Sequence, residues 1–265
     1  RLKEEAGFKA VLHGHSPFYP LRSVGPVVWA YYAAADALLG RLARSYDAYI
    51  AITDYERRVV RARLGLDSNV IVVPNGVEED SCEVRREDKD PNLVLYLGRV
   101  SRDKNLMLLA KAMVLVRGAV KGVRLVVAGP DEGVAERVIN YLRSRDVNVE
   151  YLGAVSEPVK HGLYAAAKIF ALPSLFEGLS LALLEAGMHW TPSVITGQGG
   201  QLYAAPPDIA GLWARPRPRD YAEAIVKLLT DDGLWRKLSS GAREHAARFV
   251  WSRILPAFEQ IYRKI

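Results

Sequence analysis

Between residues 93 and 229, short apolar runs alternate with stretches in which apolar positions recur at helical spacing. The short runs (93–97, 124–128, 149–152, 169–172 and 193–196) are bounded by turn-forming or charged residues. They predict strands buried on both faces. The intervening stretches at 106–116, 134–143, 163–167, 179–188 and 221–229 predict helices. Strand and helix in strict alternation imply an α/β fold whose mainly parallel sheet is covered on both sides. Ligands on such sheets bind beyond the carboxyl ends of the strands.

Upstream the alternation is looser. Residues 1–7 read as the tail of a helix ended by Gly7, and 8–12 as a short buried strand running into His13-Gly14-His15. Residues 27–46 predict a helix with Trp29, Tyr31 and Tyr32 early and Arg41 and Arg44 late, a charge placement that suits the helix dipole. A strand over 49–52 follows. Thr53 and Asp54 then cap a helix over 55–64 that Gly65 ends. The strand 70–73 leads into Pro74-Asn75-Gly76, and residues 79–92 are charged, poor in apolar side chains and carry Pro91, the composition of a linker. Residues 251–265 have an amphipathic pattern through Ile254, Leu255, Phe258, Ile261 and Tyr262.

Composition narrows the picture in a few ways. The 265 residues are half hydrophobic, enough for a sizeable core or two domains. Cys82 is the only cysteine, which excludes an intramolecular disulfide and points to a reducing, cytoplasmic setting. No apolar run has the length of a membrane span. A net charge of +6 suits an anionic ligand or surface. Abundant Arg with sparse Asn, Gln, Cys and Met hints at a thermophilic source.

The stretch LPSLFEGLSLALLE carries the strongest candidate chemistry, with Glu177 and Glu185 inside it and seven residues between them. Glu177 follows an apolar run and a Pro-Ser turn, so it belongs on a loop at a strand's end. Glu185 belongs on a helix that starts at residues 178–180. Unpaired amides at such a helix start attract phosphate or sugar hydroxyls, although an acid there also complements the dipole without any ligand. Gly98 permits an unusual backbone angle after the strand 93–97. Arg99 offers a planar fork for phosphate oxygens, and Lys104 a movable charge. His13 lies just past a strand's end beside a flexible glycine, with His15 as the alternative.

These segments resemble a known family. FEGLSLALLEA is similar to the E-x7-E motif of retaining GT-B glycosyltransferases, especially glycosyltransferase family four. YLGRVSRDKNLMLLAKAM, LVVAGP, VEYLGAVS, LYAAAKIFALPS and GQGG follow in that family's order. PNGV resembles the segment closing its first domain, with Glu78 where Asp is usual.

The resemblance implies residues 1–78 as the C-terminal part of an incomplete, acceptor-side Rossmann-like domain, and 79–92 as the linker. It implies 93–250 as the Rossmann-like nucleotide-sugar donor-binding domain, with its parallel sheet, and 251–265 as a helix crossing back to the first domain. The chain is then expected to be a fragment. By the same resemblance Arg99 and Lys104 hold the donor's diphosphate, Glu177 positions the sugar, and His13 contacts sugar or phosphate. Gly98 and the amides of Gly178, Leu179 and Ser180 bind the donor, and Glu185 takes the ribose.

The implied reaction is transfer of a hexose, with retention, from a UDP- or GDP-linked sugar to a sugar, lipid-linked or small-molecule acceptor. No metal or cofactor is expected, because fixed cations and helix-end amides can take over the metal's role. Nor is nucleic acid, for which no motif is present. Peripheral contact with the inner face of an anionic membrane is a further option through the basic helix at 27–46. The alternatives are an inactive nucleotide-sugar binding module and a GT-B nucleotide-sugar epimerase. Two departures from the pattern stand out: Lys168 in place of Asp, and Trp190 at a small-residue position.

Overall fold

The computed structural model describes residues 6–15, 25–66, 69–79 and 88–265. Cys82, most of the expected linker and the expected N-terminal helix tail up to residue 5 lie outside them. Two parallel sheets form the framework. The smaller has the order β1 (Val11–His13), β2 (Ala48–Ala51), β3 (Val70–Val72). The larger has six strands: β4 (Asp90–Leu97), β5 (Arg124–Ala128), β6 (Asn148–Tyr151), β7 (Ala167–Leu172), β8 (Ser193–Ile195) and β9 (Gly211–Trp213). Their spatial order is β6-β5-β4-β7-β8-β9, every pair parallel. That is the doubly wound arrangement, and the chain reverses its winding between β4 and β7.

The central strands read as unbroken apolar runs because both faces are covered. Leu93, Val94, Leu95, Tyr96, Ile169, Phe170 and Ala171 are all 1 % exposed or less. Helices α3 (Leu106–Ala119), α4 (Ala135–Arg143), α5 (Glu157–Ala166), α6 (Leu181–Met188), α8 (Pro218–Thr230) and α9 (Asp232–Ala246) supply the cover, with a one-turn α7 (Gln201–Ala204). In the smaller unit, α1 (Pro26–Ala43) packs on α2 (Asp54–Leu64). Thr53 caps α2 by accepting from the Glu56 amide, and Gly65 ends it in the left-handed conformation. Asp36, which weakens the apolar face of α1, is buried and pairs with Arg63 at 3.1 Å.

Helix α10 (Trp251–Lys264) joins the two units. Ile254 and Ile261 bury themselves against Ile50 of the smaller sheet and Val73 just after its last strand. Beside it, Val77 donates to the Phe249 carbonyl and accepts from the Trp251 amide, so two chain segments run between the units side by side. Position 76 must be glycine here, since a Cβ would lie 2.5 Å from the Trp251 ring.

Several expectations need correcting. The first strand covers Val11–His13 rather than 8–12, and Phe8 is 49 % exposed. Pairing begins only where Val11 meets Ala48, so His13 ends the strand instead of following it. The α1 helix ends at Ala43, before the expected 46. The charged segment 79–92 is not all linker. β4 begins at Asp90, whose carboxylate takes the Arg124 guanidinium at 2.9 Å, and Lys89 is buried. Helix α6 starts at Leu181, which leaves Gly178, Leu179 and Ser180 in the loop ahead of it. β9, α9 and the first turns of α5 were not legible in the apolar pattern.

Candidate functional site at the carboxyl edge of the larger sheet

The reversal between β4 and β7 opens a crevice at their carboxyl ends, where the two loops carrying the candidate residues meet. The loop after β4 holds Gly98, Arg99 and Lys104. It lies alongside the loop after β5: Gly98 donates to Ala128 O at 2.9 Å, Val100 to Pro130 O at 2.8 Å, and Glu132 back to Val100 O at 3.0 Å. Gly129 has φ +133, and a Cβ there would lie 1.9 Å from the Gly98 carbonyl. The close approach of these two loops therefore depends on a glycine. Tyr96, fully buried at the end of β4, donates to Arg99 O at 2.6 Å and fixes the turn from below. Burial, with Glu177 and Asp103 adding to it, raises its phenol far above the ordinary range and keeps it a donor.

Lys104 reaches across the crevice. Its Nζ lies 2.7 Å from Glu177 Oε1, and both side chains are largely buried. This contact joins residues 73 positions apart, and it brings the expected cation and acid together at the switch point. Arg99 points elsewhere: Nη1 meets both Glu132 oxygens at 2.8 and 2.9 Å, and Nη2 lies 3.4 Å from Asp103. Each of the two cations thus has a carboxylate partner of its own.

The loop after β7 is held from both sides. Leu175 donates to Asp103 O at 2.8 Å, tying it to the β4 loop. The GQGG segment packs against its far side, where Gly200 donates to Glu177 O at 2.7 Å. A Cβ on Gly199 would come 2.2 Å from Glu177 O, and one on Gly200 would come 1.8 Å from Gly178 O. Buried Gln201 locks the arrangement, accepting from the amides of Thr196 (3.1 Å) and Gly197 (2.9 Å) and donating to Ser174 O (3.1 Å). The amides of Gly178, Leu179 and Ser180 have no acceptor among the described residues. They form a donor cluster at the start of α6 suited to anionic or hydroxyl oxygens.

Glu185 sits one turn into α6 and faces α5. Its Oε1 accepts from Lys160 Nζ at 3.0 Å and its Oε2 from the Tyr164 hydroxyl at 3.1 Å. Neither partner was singled out in the sequence, although LYAAA contains Tyr164. His13 ends β1 with its ring 5.4 Å from Phe258 and 4.6 Å from His15. Burial first, then the neighbouring His15, lowers its pKa, against an opposite pull from Glu56. No contact between His13 and Glu177 or Arg99 occurs among the described residues. His15 is exposed, its Nδ1 3.4 Å from Asn75 Nδ2. The smaller unit touches the Glu177 loop through α2, where Tyr55 lies 5.8 Å from the Phe176 ring. Asp54, Tyr55 and Arg58 line a cleft of about 530 Å³ with Phe176, Gln198 and Tyr203.

The departures from the family pattern are absorbed locally. Lys168 is buried on β7, where it pairs with Asp232 at 3.1 Å and lies 3.9 Å above the Trp235 ring. Trp190 takes a positive φ of 60° in the turn after α6, and its carbonyl accepts from Ser239.

Comparison with known proteins places this arrangement. The family model described as glycosyl transferases group 1 matches residues 77–245, and that of glycosyltransferase family 4 matches residues 1–81. The chain belongs to the glycosyl transferases group 1 family. It is 30% identical over 244 residues to a D-inositol 3-phosphate glycosyltransferase of Nocardiopsis dassonvillei, covering 84% of this chain and 57% of that relative. The chain spans about half the length of the curated relatives it matches. Among solved structures, Anabaena HepE in complex with UDP and glucose superimposes with a TM-score of 0.82 at 17% identity, over 99% of this chain and 74% of that one. A mutant of TarM of S. aureus, in complex with UDP among other ligands, gives 0.77 at 18% identity, over 96% and 50%. These likenesses establish the GT-B fold, with its Rossmann-like units and parallel sheets.

Proposed function

We propose that this glycosyltransferase-family chain carries the donor site of an enzyme that moves a hexose from a UDP- or GDP-linked sugar to a hydroxyl acceptor with retention of configuration. The observation that carries the reading is the Lys104–Glu177 contact at the switch point, beside the open amides of residues 178–180. In this reading, donor binding exchanges partners. The diphosphate takes the Lys104 ammonium and competes with Glu132 for Arg99, while Glu177 turns to the sugar hydroxyls. HepE and TarM, whose structures contain UDP, lend support to a nucleotide diphosphate as the ligand.

During transfer the bond from the anomeric carbon to the phosphate oxygen breaks, and its electron pair leaves with the diphosphate. Lys104, Arg99 and the loop amides stabilise that growing charge more in the transition state than in the ground state. The acceptor hydroxyl attacks from the face the diphosphate is leaving, and its proton passes to a departing phosphate oxygen. A metal is not required for this, because cations of the chain take its place. His13 lies on the acceptor-side unit and contacts the donor only from across the cleft.

Titration with UDP and GDP tests the reading. Lys104→Ala is expected to weaken both by about tenfold, a loss in the range for charged hydrogen bonds. Arg99→Ala should weaken them less, because the Arg99 side chain is about half exposed and its charge is screened by water, whereas Lys104 is largely buried. Unchanged binding in both variants would assign these side chains a structural role. A second reading, peripheral contact with an anionic membrane, is favoured by α1, where Val27, Tyr31 and Leu38 are exposed on a helix that carries Arg41 in its last turn. Failure to sediment with anionic vesicles would dismiss it.

A further inference from the structure

The LYAAA segment has no role in the transfer scheme, yet Tyr164 reaches the site. Glu157, Lys160 and Tyr164 lie three and four residues apart, which sets them along one face of α5. Lys160 Nζ bridges Glu157 Oε2 at 2.6 Å and Glu185 Oε1 at 3.0 Å. The Tyr164 hydroxyl donates to Glu185 Oε2 at 3.1 Å. Its ring is wholly buried, stacked on His189 at 5.8 Å and edge-on to Phe170 at 5.6 Å, so the hydroxyl has little freedom to move. The chain just beyond the ring is also pinned, because the Tyr164 carbonyl accepts from Lys89 at 2.8 Å and from Thr191 at 2.8 Å.

We infer that Lys160 and Tyr164 are positioning residues for ribose recognition. Each holds one oxygen of Glu185, so that the carboxylate presents its remaining lone pairs to the vicinal 2′- and 3′-hydroxyls. A carboxylate offers about four acceptor sites, two on each oxygen. Lys160 and Tyr164 use one on each, and the spare pair matches a diol. The flanking donors also remove the freedom of Glu185 to rotate, which lowers the ordering cost of binding. Burial raises the Tyr164 phenol well above its ordinary pKa, so it stays a donor throughout the working pH range. The inference rests on the reading that Glu185 takes the ribose.

The test is calorimetric titration of the parent chain and of Lys160→Met, Lys160→Arg, Tyr164→Phe and Glu185→Gln. The probes are UDP, 2′-deoxy-UDP, the matching guanosine pair and inorganic pyrophosphate. Lys160→Met and Tyr164→Phe are expected to lower the preference for the ribonucleotide about fivefold each, the size of one hydrogen bond, with pyrophosphate binding unchanged. Lys160→Arg should recover most of the preference. If Glu185→Gln abolishes the preference while both Lys160→Met and Tyr164→Phe retain it, Glu185 needs no positioning and the inference fails, with the ribose reading intact. If Glu185→Gln keeps the parent preference, the ribose reading fails and takes this inference with it. A parallel loss of pyrophosphate binding would mean general damage to the site and would also overturn the positioning role.

Discussion

Lys89 shows how much a single side chain can hide in a charged stretch. By composition it belongs to a linker, yet it is buried at the amino edge of the larger sheet, donating to Tyr164 O and to Thr191 Oγ1. Burial lowers its pKa from 10.5 to about 7. The unfolded chain therefore holds a proton that the folded one releases between about pH 7 and 10.5, and stability rises with pH across that window. Lys89→Met is accordingly expected to stabilise the fold by about 1–3 kcal/mol at pH 6, after the loss of its two hydrogen bonds. The gain should fade as the pH approaches 10.5. Denaturant melts of both proteins at several pH values measure this, and a gain that grew with pH would refute it. The site residues divide in the same way. Glu177, Arg99 and Lys104, on loops after strands, and Glu185, inside α6, were legible through the spacing of motifs that resemble a known family rather than through their charge alone. Their partners Glu132, Lys160 and Tyr164 were not, since only the folded chain brings positions 21 to 33 residues apart into contact.

At the scale of elements, the alternation of β4 to β8 with their helices was readable because strands buried on both faces must be apolar throughout. β9 escaped notice because its three residues lie between Ala210 and the proline-rich 214–218, with Trp213 half exposed. α9 escaped because its buried positions are spread through a polar helix and include Ser239 and Ala242. The glycines of GQGG make their own prediction. Gly200→Ala drives a Cβ into the Gly178 carbonyl, and neither backbone can yield without shifting the Glu177 loop. It should cost about 1–3 kcal/mol in stability, as overpacking does, and it should weaken UDP binding as well. Gly118→Ala, at a helical position with open space around it, is the control that should lose neither. Equal behaviour of the two variants in thermal melts and titrations would remove the loop-packing argument.

On the scale of the whole molecule, α10 and the Val77 crossing bind the smaller sheet to the larger unit. Ile254→Ala or Ile261→Ala should each destabilise the smaller sheet by about 2–4 kcal/mol, the range for buried aliphatic truncation. Hydrogen exchange should register the loss at β2 and β3, with β4 and β7 nearly unaffected; uniform loss across both sheets would contradict the division. The units meet at the cleft where Tyr55 faces Phe176, which sets the Glu177 loop between the larger sheet and the smaller unit. The central claim is that Glu177 serves the sugar and Glu185 the nucleotide. It is tested most directly by calorimetric titration of Glu177→Ala and Glu185→Ala with UDP and with UDP-glucose, and with the guanosine pair if those bind better. Glu185→Ala should weaken the diphosphate and the nucleotide-sugar alike. Glu177→Ala should leave the bare diphosphate nearly as tight as in the parent, or tighter because Lys104 is freed, and should lose the added affinity of the sugar. Equal losses in all pairings would contradict the account and leave both glutamates with a structural role.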